Sequence, residues 1–139
     1  MVLADSGFWF ALLNRRDRHH ERARAAYRGL EEGVVTTWPA LAEACHLLVD
    51  RVSVGAAAGL LESLAANEFA VADISPEDYP KLPALMRRYA SLPMDLADAS
   101  LVLLAERLGH GRILTTDQRD FEAYRWKHHH PFENLLLPE

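Results

Sequence analysis

Asp95-Leu96-Ala97-Asp98-Ala99-Ser100-Leu101-Val102-Leu103-Leu104-Ala105-Glu106-Arg107-Leu108-Gly109-His110-Gly111-Arg112-Ile113-Leu114-Thr115-Thr116-Asp117 is the stretch that decides the fold. Asp95 to Leu108 reads as a strong helix. It is apolar almost all round after its first turn, which predicts a buried helix rather than a surface one. Gly109 and Gly111 end it. Arg112 to Thr115 then reads as a short strand, and Asp117 follows the strand's carboxyl end. A buried helix feeding directly into a strand is half of a βαβ unit.

The same alternation continues outward in both directions. Val2-Leu3-Ala4 reads as a buried strand, and Ser6 to Leu13 as a short helix. A longer helix is expected from Asp17, with Ala23, Ala26, Tyr27 and Leu30 as its apolar stripe and Gly33 as its end. Val34-Val35-Thr36 is short and β-branched, hence strand. Thr37 is a good N-cap, and Pro39 fits the first turn of a helix carrying Leu41, Cys45, Leu48 and Val52 on one face. Ser53 caps a further helix to Ala66, and Phe69 to Ala72 is a third strand. Ser75-Pro76-Glu77-Asp78 has the form of a helix start. A weak fifth strand is expected within Phe132 to Leu136. The order predicts an α/β fold with a parallel sheet covered on both faces. No linker, repeat or low-complexity stretch interrupts residues 1–139, so one domain is expected.

Composition narrows the function classes. Half of the 139 residues are hydrophobic and 25% are charged, as in ordinary globular proteins. No apolar run approaches the roughly 20 residues that a membrane span needs. Cys45 is the single cysteine and has no internal disulfide partner. Met1 leads straight into a strand without a secretory pattern, so a cytoplasmic location is expected. The net charge of −5 argues against a general nucleic-acid coat protein but not against a nuclease, whose acidic centre supplies several of those charges. Positive charge is concentrated locally. Arg15, Arg16, Arg18, Arg22, Arg24 and Arg28 fall in one segment with His19 and His20, opposed there only by Asp17 and Glu21.

Four acidic stations carry the chemistry: Asp5, Glu43, the Asp95/Asp98 pair, and Asp117 with Asp120. Each follows or sits within an apolar run. Each also has a plain explanation. Asp5 reads as a turn residue or cap. Glu43 reads as a solvated helix residue. Asp95 with Asp98, and Asp117 with Asp120, read as N-caps with an acid three positions on. In a parallel sheet, sites form outside the carboxyl ends of the strands where the strand order reverses. Gathered there, the carboxylates would repel one another unless a cation sat among them. Their convergence predicts a divalent-metal site and phosphodiester hydrolysis.

These residues resemble a known family. Val2-Leu3-Ala4-Asp5-Ser6 resembles the opening strand and aspartate of PIN domains. Thr37-Trp38-Pro39-Ala40-Leu41-Ala42-Glu43 resembles the helix bearing their second acid. Asp95 to Ser100, then Gly109, then Ile113 to Phe121, resembles their third and fourth acidic motifs in order. His20-Glu21-Arg22-Ala23 resembles a His-x-x-Ala found early in their second helix. The match spans nearly the whole chain. Among PIN domains, a lone small domain is most similar to the VapC-type toxins of bacterial toxin–antitoxin pairs.

The resemblance implies a three-layer α/β/α sandwich with a five-stranded parallel sheet. It implies an endoribonuclease dependent on Mg2+ or Mn2+, a homodimer, and a small antitoxin partner that blocks the site. Carried over residue by residue, the catalytic acids are Asp5, Glu43, Asp98 and Asp117. Asp95 and Asp120 are additional acids that support them. Asp5, Asp98 and Asp117 are the expected metal ligands, with Glu43 completing the cluster or acting through water. Ser6 and Thr115 are placed to orient carboxylates by hydrogen bonds. Hard cations match an all-carboxylate donor set without a Cys/His cluster. Arg15, Arg16, Arg18 and Arg119 are the candidate RNA contacts, and Arg112 also lies near the acids in sequence. Trp9 and Trp38 are open to base stacking or to core and dimer packing. Adjacent histidines rarely converge on one ion, so His128 to His130 do not read as a zinc site.

Two related chemistries fit poorly. A haloacid-dehalogenase-like phosphatase needs a second aspartate where Gly7 stands, and a receiver domain needs paired early acids that are absent. The competing reading is a non-catalytic interaction module whose acids only cap helices.

Overall fold

The computed structural model describes residues 1–137. Val2–Ala4 forms β1, the central strand, with every side chain buried. Its neighbours are β2 (Val34–Thr37) and β4 (Arg112–Leu114), both parallel to it. Outside β2 lies β3 (Ala70–Ala72), and outside β4 lies a two-residue strand, Glu133–Asn134. All the pairings in this five-stranded sheet are parallel. The weak strand expected within Phe132 to Leu136 is thus an edge strand of the main sheet.

Eight-residue α1 (Ser6–Leu13) follows β1, and α2 (His20–Gly29) precedes β2. Trp38–Arg51 forms α3 and Val54–Ala65 forms α4. Lys81–Arg88 forms α5, Leu96–Leu108 forms α6, and Gln118–Ala123 forms α7. Strand alternation sends side chains to two cores. Val2, Ala4, Val34 and Leu114 join Phe8, Trp9, Leu41, Leu48 and Leu60 on one face. Leu3, Val35 and Ile113 join Leu101, Val102, Phe121 and Tyr124 on the other. The helices therefore cover both faces, as near-continuous apolar strands require. Helix α6 has the broadest burial: eight consecutive-to-nearby residues from Ala97 to Ala105 are buried, Asp98 aside. Gly109 closes it in the left-handed conformation, φ 78°, which favours glycine.

Three local expectations differ from the structure. Helix α2 begins at His20, not Asp17, because the Asp17 carboxylate accepts the His19 N–H at 2.8 Å and holds a turn ahead of the helix. It ends at Gly29, since Leu30 is already extended. Pro76–Asp78 is a single 3-10 turn, and the helix proper starts at Lys81. Pro83 then falls in the first turn of α5, where a missing N–H costs no intrahelical bond. Val52 lies just past the end of α3 and is exposed, so it does not extend the buried face of Leu41 and Leu48.

Candidate carboxylate site at the sheet switch point

The chain passes from β1 to β2 and β3 on one side, then crosses to β4 on the other. The strand order therefore reverses between β1 and β4. Loops leaving the carboxyl ends of these two strands diverge to opposite faces and leave a crevice. Asp5 leaves β1 and Asp117 follows β4, so topology alone brings residues 112 positions apart to one place.

Asp5 is 5% exposed. One carboxylate oxygen accepts the Phe8 N–H at 2.9 Å, capping α1, and the other accepts the Thr115 hydroxyl. Burial pushes its carboxyl up to about 7; the bonds from Thr115 and Phe8 oppose this, and the charges of Asp117 and Glu43 add to it. The Thr115 hydroxyl also accepts the Asp117 N–H at 2.9 Å, so one side chain locks both acids. Thr36 donates to the Ala4 carbonyl at 2.7 Å and braces β1 just before Asp5. Close approach at this corner explains Gly7: a Cβ there would stand 2.2 Å from the Thr116 hydroxyl oxygen.

Glu43 lies in the second turn of α3, half-buried, and accepts the Ser6 hydroxyl. Burial raises its carboxyl; the Ser6 bond opposes that, and Asp95 adds repulsion. Asp98 lies in the first turn of α6. Its carboxyl is pushed up to about 7 by burial first, then by Asp95, against the lowering effect of a bond from Tyr124. Asp117 caps α7 through the Asp120 N–H at 3.3 Å, and burial followed by Asp120 raises it to about 6. Asp95 caps α6 through the Asp98 N–H at 2.8 Å. It also acts electrostatically on Glu43, Asp98 and Asp117 together. The four stations thus share one end of the sheet and sense one another's charge.

Their oxygen-only donor set suits a hard divalent cation. Among the described residues, however, no group of three or more His, Cys, Asp or Glu side chains is arranged to hold a metal ion. Each of three acids is held by a hydroxyl: Asp5 accepts from Thr115, Glu43 from Ser6 and Asp98 from Tyr124. The donors match a hard cation in chemistry, and the acids lie near enough for their charges to act on one another.

Tyr124 escaped the sequence reading. It is fully buried, and its hydroxyl donates to Asp98 Oδ2 at 3.0 Å. A signal existed: a tyrosine in helical register with Phe121, on a segment expected to bury its apolar face, needs a partner for its hydroxyl.

The basic residues divide. Arg18, Arg22 and Arg119 line a cavity that includes Asp117. Arg15 lies instead with Arg24 and Arg28 along a groove beside Leu12, Leu13 and Tyr27. Arg16 is exposed, with its N–H bonded to Asn14. Arg112 is not at the site, because it starts β4 at the opposite end of the sheet and forks onto Glu32. Trp9 is a core residue, 1% exposed, whereas Trp38 is 50% exposed at the start of α3. His20 is buried and donates from Nδ1 to the Ala11 carbonyl at 2.8 Å, tying α2 to α1. The histidine run sits in a two-stranded hairpin, Arg125–Trp126 with His130–Pro131, where His130 stacks on Trp126 and His128 meets Arg88.

Ribonuclease VapC26 of Mycobacterium tuberculosis is 25% identical to this chain over 124 residues, covering 89% of this chain and 92% of that protein. The crystal structure of Mycobacterium tuberculosis VapC20, described as a Sarcin-Ricin loop cleaving toxin, superimposes with a TM-score of 0.79 at 20% identity, covering 86% of this chain and 92% of that one. At that identity the likeness carries the fold alone. The PIN domain model matches residues 2–127, from the first residue of β1 to the hairpin beyond α7. With the parallel order β3-β2-β1-β4 and the acids at its switch point, the chain belongs to the PIN domain family.

Proposed function

We propose that this chain is a divalent-metal-dependent endoribonuclease of the VapC type, the toxin of a toxin–antitoxin pair. The observation that carries the reading is the convergence of Asp5, Glu43, Asp98 and Asp117 from four separate stretches onto the switch point of a PIN fold. Similarity to Ribonuclease VapC26 supports the reaction class.

Asp5, Asp98 and Asp117 are the residues that would hold Mg2+ or Mn2+, with Glu43 completing the set. The chemistry such an ion supplies is stabilisation of charge on the phosphate oxygens and acidification of water. The chain's own contribution is orientation and proton accounting. Thr115 fixes Asp5, Ser6 fixes Glu43, and Tyr124 fixes Asp98. Carboxyls held at about 6 to 7 are partly protonated near neutrality, so metal uptake would release protons. Asp95 and Asp120 add negative charge around the site without being assigned as ligands. An RNA substrate, a cognate antitoxin, a homodimer, a single domain over residues 1–139 and a cytoplasmic setting complete the proposal. Among the described residues no helix is long and apolar enough to cross a membrane.

The interaction-module reading has one observation in its favour: Asp5, Asp95 and Asp117 do cap helices. It leaves Glu43 unexplained, and it gives no reason for Asp98 to be half-buried beside Asp95, where burial and that neighbour both disfavour its charge. Cleavage of total RNA by purified protein, with Mg2+, Mn2+ or EDTA and with an Asp5→Asn control, separates the two. Discrete fragments requiring both metal and Asp5 support the nuclease; no cleavage and no metal-induced thermal shift favour the module.

A further inference from the structure

The arginine-rich segment after α1 does not present one basic surface. It distributes its guanidinium groups to two separate cavities. One, of about 680 Å3, takes Arg15, Arg24 and Arg28. The other, of about 640 Å3, takes Arg18 and Arg22 together with Arg119 from α7, and Thr116 and Asp117 form part of its wall. Only the second adjoins the carboxylates.

This second cavity is built from two distant parts of the chain. Arg18 lies in the turn just ahead of α2, Arg22 in the first turn of α2, and Arg119 in the first turn of α7. Among the described residues, none of the three is in a salt bridge. Arg18 Nε donates to His19 Nε2 at 3.1 Å, which orients its guanidinium and leaves the terminal nitrogens free. One carboxylate other than Asp117, that of Glu122, lines the cavity, against three guanidinium groups. In the first cavity, one of the three arginines is already paired: Arg24 is 3.6 Å from Glu21.

We infer that the cavity formed by Arg18, Arg22 and Arg119 is a phosphate-binding subsite of the RNA track, holding a backbone phosphate beside the scissile one on the Asp117 side. This rests on the nuclease reading above and adds a direction and a register to it. The physical need is clear. A polyanion approaching a cluster of carboxylates is repelled, and flanking guanidinium groups offset that repulsion while fixing the backbone in place. The cavity is open and lined by cations rather than shaped as a slot for a base, so it reads phosphate and not sequence.

The test uses the full-length Asp5→Asn protein with Mg2+ and a fluorescein-labelled single-stranded RNA of mixed sequence, its dissociation constant followed by anisotropy across a salt series. Adding Arg22→Ala or Arg119→Ala should each flatten the slope of log affinity against log salt by about 0.7, the value for one lost phosphate contact on a single strand. Arg119→Lys should retain the slope, because a point charge suffices. Arg28→Ala, in the other cavity, should leave it unchanged. Arg22 and Arg119 are exposed, so the fold is not at risk. Cleavage by the wild type with unchanged slopes in both alanine variants would overturn the subsite alone and leave the cavity to an acidic protein segment. Equal flattening by Arg28→Ala would also overturn it, showing diffuse attraction. Absence of both RNA binding and wild-type cleavage would overturn the nuclease reading and the subsite with it.

Discussion

The Tyr124 hydroxyl donates to Asp98 Oδ2 across 3.0 Å, joining the residue just beyond α7 to the first turn of α6. Tyr124 is itself immobilised, edge-on to Tyr89 and to Phe121 with ring centroids 5.1 Å away in each case. The bond therefore holds a carboxylate that burial and Asp95 both work against. Groups of this kind set ligand orientation, and their loss typically weakens metal affinity about 10–100-fold. Tyr124→Phe should keep the fold and lower Mg2+ or Mn2+ affinity within that range. Calorimetric titration decides it: an unchanged dissociation constant would remove Tyr124 from the site.

Asp98→Asn should abolish cleavage yet stabilise the metal-free protein. The amide keeps an acceptor for Tyr124 while removing a charge that burial and Asp95 disfavour. Relief of about 1 kcal/mol would raise the apo melting temperature by a few degrees in a domain of this size. A lower melting temperature in EDTA would contradict the convergence of charges.

Stability of the metal-free protein should fall as pH rises. Asp5 and Asp98 titrate at about 7 and Asp117 at about 6 when folded, against an ordinary value of 3.8. The native state thus binds more protons than the unfolded one between about pH 4 and 7, and the slope of stability against pH is negative there. The contribution is fully present below the unfolded value and is lost as pH passes through the folded values. In EDTA, the melting temperature at pH 5 should exceed that at pH 8, and the gap should shrink in Asp5→Asn. A gap of equal size in the variant would assign the effect to other groups.

Divalent metal should act in the opposite direction. At a hundred times its dissociation constant, a ligand of the native state adds about 2.7 kcal/mol. Mg2+ or Mn2+ should therefore raise the melting temperature at pH 8 by several degrees, and far less in Asp117→Asn. Helix caps have no such need, so a flat response would favour the interaction module.

The sequence carried the architecture because its signals are local. Apolar strands, glycine stops and N-caps at Thr37, Ser53 and Asp95 depend on neighbours a few residues away, and the structure places those elements within a residue or two. The acids at strand ends were legible for the same reason, since each follows its own apolar run. The errors arose where local signals competed: Asp17 turns the chain before α2, and the cap-like Ser75-Pro76 opens only a single 3-10 turn, so the helix proper starts at Lys81.

Only the tertiary structure decided which way side chains face and what they touch. The arginines of one short segment look alike in sequence, yet packing directs Arg18 and Arg22 to the cavity with Asp117 and Arg15 to another. Arg112 is five residues from Asp117, but a strand separates them and places Arg112 at the far end of the sheet on Glu32. Tyr124 meets Asp98 across 26 residues because it and Phe121 are buried in the same core as α6. Carboxyl values near 7 likewise required the fold: each acid is ordinary in an extended chain, and burial beside other acids, which depends on the sheet's reversal at β1, raises it.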